Sequence, residues 1–295
     1  MELRVLTYFL AVAREQSIIR AAESLHLSQP TLSTQIRALE EELGKQLLIR
    51  GSKGTRKVTL TEEGMILRKR AEEILSLVQK TEREISVSDQ MIVGDVYIGT
   101  GETDAVRFIA RAAKGLYESY PGIRYHISSG NADFVNEQLD KGLIDFGIVF
   151  GNVDPTKYNS IELPFRDTWG VLMRRDSSLA SKETIQPEDL WDKPLIISNQ
   201  DDSKGTLTAW IKKELPELEI IATYNLLFNA SLMVEEGMGY AIGLDKIIHT
   251  GGNHKLCFRP LSPQTKASMH IIWKKYQVFS KASEKFLEKL KLISL

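Results

Sequence analysis

Cysteine is nearly absent, with one residue, Cys257, in 295. This excludes an internal disulfide framework and fits a reducing compartment. No histidine is placed beside Cys257 by the sequence, so it reads as a small buried hydrophobe rather than a reactive thiol. Long apolar runs are absent as well, none approaching the roughly 18 residues of a membrane span. The opening stretch "MELRVLTYFLAVA" has the Arg, apolar run and Ala-x-Ala end of a secretion signal. Its run is short, Glu2 sits at its head, and Leu3, Leu6, Leu10 and Ala13 continue an amphipathic helix, which predicts a folded, cytoplasmic segment. Net charge is missing too, since 38 basic against 39 acidic residues leave −1. There is therefore no global attraction to nucleic acid or membrane, and any electrostatic case must be local.

The signatures of common enzyme sites are also lacking. Gly99-x-Gly101 has no third glycine at the spacing of a dinucleotide fingerprint, and there is no phosphate-loop Gly-Lys-Ser/Thr, nucleophile elbow or His-Glu-x-x-His. His249 and His254, five apart in a Gly-Asn loop, read as exposed polar surface rather than a metal site. No cofactor and no metal are expected, and the chain does not read as an enzyme.

What is present begins with "AAESLHLSQPTLSTQIRALEEELG", residues 21–44. A first helix ends near Leu25, three residues pass, and Pro30 opens a second helix with Leu32, Ile36, Leu39 and Leu43 along one side. Pro30, Ser33, Thr34 and Arg37 fall on the opposite stripe, uncharged at its start and cationic lower down. Two helices joined by a three-residue turn, the second polar on its free face, form a helix-turn-helix whose second helix can enter a DNA major groove. Ser28, Gln29, Pro30, Ser33 and Thr34 are then candidate base readers: Gln suits the adenine edge, Ser and Thr donate or accept, and Pro can lie on a thymine methyl. Arg37, one turn on, suits a phosphate. Ser28 and Pro30 also read as a plain N-cap and first-turn proline, and capping does not exclude DNA contact.

From Leu43 to Leu60 the charged residues are Lys45, Arg50, Lys53, Arg56 and Lys57, with no acid among them. Two β-prone ends flank a Gly-Ser-Lys-Gly tip, a hairpin signature. Such a wing would carry Lys53, Arg56 and Lys57 to neighbouring phosphates or a minor groove. Thr31 and Arg50 complete the set of DNA-facing candidates. Thr61 then caps a long helix to about Ser86, with acids in its first turn. Leu67, Ala71, Ile74, Val78, Thr81 and Ile85 alternate at spacings of four and three, the seam of a helix packed along a partner, here read as a second copy of the chain. The alternative is a helix lying on its own core.

From Gly94 the pattern alternates: "DVYIGTG" β, 104–119 helical, "IRYHISSG" β, 132–141 helical, "IDFGIVFG" β. This predicts a parallel sheet with crossovers. A second set follows with "WGVLMRR", "PLIISNQ", a helix around Leu207–Leu215, "EIIATYN", and a helix 227–236 closed by Gly237-x-Gly239, before "ASMHIIWKK" and an amphipathic 279–292. Ligands in open α/β sheets bind beyond the carboxyl ends of strands. The candidates there are Thr100, Gly101, Glu102 and Thr103 after the first strand, Ser128 and Ser129 after the second, Phe150 after the third, then Asn199 and Asn225. Hydroxyls and amides with Gly between them suit a polar ligand held by hydrogen bonds rather than a hydrophobic one. A Glu102 carboxylate beside the pocket would disfavour a purely anionic ligand and favour one with an amino group. The alternative is that Asp104 caps the helix and Glu102 points to water.

Residues 1–88 resemble the winged helix-turn-helix and linker helix of LysR-type transcriptional regulators, through "LRVLTYFLAVAREQS", "RAAESLHLSQPTLSTQIRALEEELGKQLLIR" and "VTLTEEG". Ala21-Ala22, Ser28-Gln29-Pro30 and Leu39-Glu40-x-x-Leu43-Gly44 are all in place. Ile18-Ile19 stand where the family has Phe and Thr, and Thr34 where Arg or Lys is common, which points to a different operator preference. The later half resembles the family's effector region through element order, "YESYPGI" and "ATYNLLFNASLMVEEGMGYAIG". The resemblance implies a multi-domain chain: a winged helix-turn-helix (1–60), a linker and dimerisation helix (61–90), and an α/β effector domain (91–295) with the fold of periplasmic binding proteins. Its two subdomains would be 91–163 with 266–295, and 164–265. It further implies a cytoplasmic, nucleoid-associated homodimer or homotetramer that regulates transcription, with an imperfectly palindromic double-stranded DNA operator, a small polar metabolite and RNA polymerase as partners. In the alternative, the C-terminal half serves only as an oligomerisation platform.

Overall fold

The structure, a computed structural model, describes residues 1–50, 57–86 and 92–294, without the side chains of Arg50, Glu84, Ser86 and residues 201–204. Two compact units divide the chain, Met1–Ser86 and Val87–Leu295. The wing tip with Lys53 and Arg56 lies outside the described residues, as does the Arg50 side chain.

In the first unit, α1 (Leu3–Glu15), α2 (Ile18–Ser24) and α3 (Gln29–Leu43) precede a hairpin of β1 (Leu48–Arg50) and β2 (Val58–Leu60), and α4 (Glu62–Ser86) follows. Ser17 and Ser28 open α2 and α3 by accepting from Arg20 and Thr31 N–H, so each helix start has its cap in the sequence. Gly44 closes α3 in the left-handed region (φ 64°), where a side chain would strain the backbone. The core gathers Phe9, Val12, Ala21, Ala22, Leu32, Ile36, Leu39, Leu47 and Leu48. Thr61 Oγ1 accepts from Gly64 N–H to start α4. A Cβ on Gly64 would stand 2.2 Å from the Leu47 carbonyl oxygen, so only glycine lets α4 approach the hairpin this closely. Along the expected seam of α4, Ala71 is buried and Leu67 packs against the unit's own core, while Thr81 and Ile85 are exposed. The early part of that stripe is therefore a contact within the chain.

In the second unit the elements are β3 (Gly94–Thr100), α5 (Val106–Tyr117), β4 (Ile123–Ser129), α6 (Ala132–Asp140), β5 (Phe146–Phe150), β6 (Tyr158–Arg174), β7 (Leu195–Ser198), α7 (Asp201–Ile211), β8 (Ile220–Tyr224), α8 (Leu227–Glu235), β9 (Tyr240–Leu244), β10 (Leu256–Pro260), β11 (Lys266–Lys274) and α9 (Lys281–Ser294). The strands run β4-β3-β5-β11-β6-β9-β7-β8, with β10 on β6. The expected parallel pairing holds for β3 with β4 and β5, and for β7 with β8 and β9. β11 and β6 enter antiparallel, so both halves of the sheet are mixed.

β6 is the element that the sequence conceals. "WGVLMRR" is only the end of a 17-residue strand whose first part pairs with β11 up to Thr168 and whose last part pairs with β9 and β10 from Trp169. The strand changes partners at Thr168–Trp169, a few residues beyond the expected boundary at 163/164. It thereby joins two lobes: β3, β4, β5 and β11 with α5, α6 and α9, and β7 to β10 with α7 and α8. The helix expected around Leu207–Leu215 instead ends at Ile211, because Lys212 turns left-handed (φ 58°).

Glu40 links α3 to the hairpin. Its Oε1 accepts from the N–H groups of Leu47 (2.8 Å) and Leu48 (3.1 Å), both buried residues with few alternatives to this carboxylate. Glu40→Ala leaves the two donors in place without that acceptor and is expected to destabilise the first unit by about 2 kcal/mol, whereas Glu40→Gln retains an acceptor and costs less. Urea unfolding of the two variants and the parent checks the order.

Candidate nucleic-acid interface and ligand cleft

α3 divides into two faces. Leu32, Ile36 and Leu39 are at most 2 % exposed, while Gln29, Pro30, Thr31, Thr34 and Arg37 lie outside the core. The Ser28 hydroxyl, itself exposed, accepts from Thr31 N–H (3.2 Å) and lies 2.7 Å from the Thr31 hydroxyl, so these two groups are partly committed to the cap. Arg37 has no ion-pair or hydrogen-bond partner among the described residues, which leaves its guanidinium available for a phosphate. Ser33 departs from its expected place. It is buried, because at about 100° per residue it lies only about 60° from Ile36, on the shoulder of the core-facing stripe. The exposed face gains Ala38 instead, one turn after Thr34. On the wing, Lys57 is exposed, and β1 and β2 pair through Leu48↔Leu60, Ile49↔Thr59 and Arg50↔Val58. Val58 N–H donates to the Gln16 carbonyl (2.9 Å), which ties the wing to the end of α1.

Between the two lobes of the second unit lies a cleft of about 590 Å³ including its open mouth. Its floor and walls are Ile148, Val149 and Phe150 of β5, Trp169 of β6, Leu244 of β9, Met269 of β11, and Leu226, Leu227 and Ile247. Phe150 and Trp169 meet edge to face with centroids 6.1 Å apart. Polar groups come from strand ends and helix starts: Gly101, Glu102, Thr103, Asn131, Ser198, Gln200, Tyr224 and Asn225. The loops alone point to a polar ligand, and the structure adds an apolar floor supplied by strand residues, so the site accommodates a polar edge on an apolar body.

Of the expected ligand contacts, Gly101, Glu102, Thr103, Phe150 and Asn225 line this cleft. Four do not. Thr100 is buried, its hydroxyl donating to the Gly101 carbonyl (2.9 Å), and with Ser129 it borders a shallower groove on the far side of the 101–104 loop. Ser128 is exposed on β4, the edge strand, and lines neither space. Asn199 is exposed and outside the cleft while the next residue, Gln200, enters it, since consecutive side chains past a strand point opposite ways. Asn131, Trp169, Gln200, Tyr224 and Met269 line the cleft without being among the expected contacts. For Gln200 alone the sequence holds a local signal, its place in the Ser198-Asn199-Gln200 strand end.

Among the described residues, two hydrogen bonds cross the cleft. Glu102 Oε2, in the first lobe, accepts from Phe228 N–H (3.0 Å) in the first turn of α8, whose N-cap Leu226 offers no side-chain acceptor. Gln200 Oε1, in the second lobe, accepts from Ala132 N–H (3.2 Å) at the start of α6. Each lobe thus lends an acceptor to a helix start of the other. Glu102 does not simply point to water, and Asp104 does not cap α5: its Oδ1 accepts from Arg107 Nε (2.6 Å), while Thr103 Oγ1 accepts from Ala105 N–H (3.1 Å). The Tyr224 hydroxyl donates to the Ile242 carbonyl (2.7 Å); burial, and then the nearby Glu102 charge, push its pKa up.

Behind the loop, Asp167 on β6 is 0 % exposed. Its Oδ2 accepts from Thr103 Oγ1 (2.7 Å), and Lys246 Nζ stands 3.6 Å from Oδ1, beyond hydrogen-bond reach. Burial pushes its carboxyl above the ordinary range; Thr103 and Lys246 pull the other way, and Asp245 adds to the rise. Among the described residues no group of three or more His, Cys, Asp or Glu could hold a metal, and no helix is long and apolar enough to cross a membrane. His249 and His254 contact edge to face, with ring centroids 4.6 Å apart. Cys257 is buried on β10, and burial pushes its thiol pKa up.

A helix-turn-helix with a winged hairpin and a two-lobed α/β unit with a cleft define a DNA-binding protein with a ligand-binding module. The family model described as LysR substrate binding domain matches residues 90–292, and that of the bacterial regulatory helix-turn-helix protein, lysR family, matches residues 3–65. The chain belongs to the LysR family, DNA-binding transcriptional regulators with an effector-binding domain, a family of regulators rather than enzymes. It is 25 % identical over 293 residues to the HTH-type transcriptional regulator YvbU of Bacillus subtilis (strain 168), covering 99 % of this chain and 98 % of that one. It is 32 % identical over 198 residues to the DNA-binding transcriptional dual regulator OxyR of Escherichia coli (strain K12), covering 67 % of this chain and 63 % of the relative. Full-length CbnR, solved in complex with its target DNA, superposes with a TM-score of 0.77 at 21 % identity over 99 % of both chains, which shows a shared fold.

The buried Asp167 gives this unit a pH signature. An acid whose pKa is raised by folding costs nothing below its unfolded pKa and costs progressively more as pH rises toward the folded value. Asp167→Asn keeps an acceptor for Thr103 and removes the titration. Melting temperatures measured from about pH 4 to about pH 8 are therefore expected to show the parent falling relative to Asp167→Asn as pH rises.

Proposed function

We propose that this regulator binds an imperfect palindrome as a homodimer or a homotetramer of two dimers, each protomer placing the start of α3 in a major groove. The observation that carries this reading is the outer face of α3, with Gln29, Pro30 and Thr34 at its N-terminal end and, one turn on, Arg37, which has no partner among the described residues. Gln29 and Thr34 face base edges in this arrangement, and Arg37 and the wing residue Lys57 face phosphates. Ser28 orients the helix through its cap, and Ser33 supports it from the interior. The exposed apolar residues Leu77 and Ile85 on α4 are expected to be covered by a second protomer, which sets two α3 helices one DNA turn, about 34–36 Å, or a multiple apart. CbnR, similar in fold, has been solved on its target DNA, which supports the arrangement.

The cleft would hold the small molecule that controls the DNA-bound state. A ligand that prefers one arrangement of the lobes by about 1–3 kcal/mol suffices to switch occupancy or geometry on DNA. The two cross-cleft hydrogen bonds are the interactions that such a ligand would replace or reinforce.

A gel shift with the DNA flanking the protein's own gene, run at several salt concentrations, tests the reading. Arg37→Ala is expected to lower the log–log salt slope by about 0.9 for each phosphate no longer neutralised, about 1.8 for a dimer. Gln29→Ala is expected to leave the slope unchanged and to relax base preference by about 1–3 kcal/mol at one position per half-site. A complex insensitive to salt, or a slope unaltered by Arg37→Ala, would overturn the proposed placement of these side chains.

A further inference from the structure

Among the described residues that line the cleft, one is charged and it is negative. Among its described lining residues, Glu102 is the sole acid, and no Lys, Arg or His is present. The nearest cations of the adjoining groove are committed elsewhere: Arg107 to Asp104 (2.6 Å), and Lys246 to Asp167 (3.6 Å) and Asp245 (3.7 Å). Glu102 also takes the place at the first turn of α8 that a ligand carboxylate would seek, because its Oε2 already accepts from Phe228 N–H. A carboxylate has room for about four hydrogen bonds, and Glu102 makes this one among the described residues. The floor is apolar and aromatic, with Phe150, Trp169, Leu244 and Met269, and the remaining polar lining, Thr103, Asn131, Ser198, Gln200, Tyr224 and Asn225, is uncharged.

We infer that Glu102 sets the charge class of the effector, and that the cleft takes an amine-bearing compound with an apolar body and rejects carboxylates that lack an amino group. An ammonium group would donate to Glu102 while the apolar body covers the floor. An anion would enter against Glu102 and meet no cationic side chain among the described lining residues. The assignment rests on the reading of the cleft as an effector site and narrows it. Glu102→Gln keeps the size and the acceptor for Phe228 N–H and removes the charge, so it separates the electrostatic role from a structural one.

The test uses the full chain and three probes with one ring and different charge: benzylamine, benzyl alcohol and benzoate, followed by calorimetry or thermal shift. Benzylamine is expected to bind at least tenfold more tightly than benzoate, with benzyl alcohol between them, and Glu102→Gln is expected to bring the ratio close to one. Benzoate binding as tightly as benzylamine, or a ratio unaltered in Glu102→Gln, overturns the inference. If none of the three binds, a wider metabolite panel decides. Stabilisation by ammonium-bearing compounds alone upholds the assignment. Stabilisation by carboxylates without an amino group overturns it and leaves the effector reading standing. No stabilisation by any compound overturns the effector reading itself, and the charge assignment with it.

Discussion

By burying Leu32, Ile36 and Leu39 in the core of the first unit, α3 fixes which of its residues remain outside, and the surface proposed to face DNA depends on that packing. A 3.6-residue repeat permits little choice: once three leucine or isoleucine side chains face inward at spacings of four and three, Thr34 and Arg37 must face outward. The Ser28 cap fixes where the helix begins, and therefore which residues stand at its leading end. Glu40 then holds the start of the wing to the same helix, so hairpin and recognition face keep one geometry. Capping, packing and recognition thus draw on adjacent residues of one helix without competing for the same side chains.

The second unit is organised by a strand rather than a helix. β6 belongs to both lobes, so the lobes are joined by continuous backbone as well as by packing. Asp167, at the change of partners, meets Thr103 from one lobe and Lys246 from the other. The hydrogen bonds of Glu102 and Gln200 link the lobes across the cleft. Few-kcal/mol interactions of this kind are of the size that a small ligand can rebalance, which is what an effector domain requires. The single buried cysteine leaves no route to an intrachain disulfide.

Much of this is legible in the sequence because it depends on local pattern. The caps at Ser28 and Thr61, the apolar stripe of α3, and the alternation of strands and helices after Gly94 are read from neighbours in the chain. What escapes depends on distance or on fine angle. Ser33 falls on the free face by spacing and inside by structure, because helical periodicity alone does not reveal how wide the buried stripe is. Asn199 and Gln200 cannot be told apart by period-two alternation without an absolute phase, which only the sheet supplies. The first part of β6 is not among the strands expected from the sequence, since Asn159, Ser160, Glu162, Arg166 and Asp167 give it the polarity of an exposed segment. The Glu102–Phe228 hydrogen bond spans 126 positions and leaves no local trace.

The most direct measurement is photo-crosslinking from α3 to DNA. A photoreactive side chain at position 34 is expected to label bases within each half-site, on the major-groove side, whereas the same group at position 86, the end of α4, labels none. Absence of base labelling from position 34 in a protein that still binds its operator, or equal labelling from both positions, would contradict the placement of α3 in the groove.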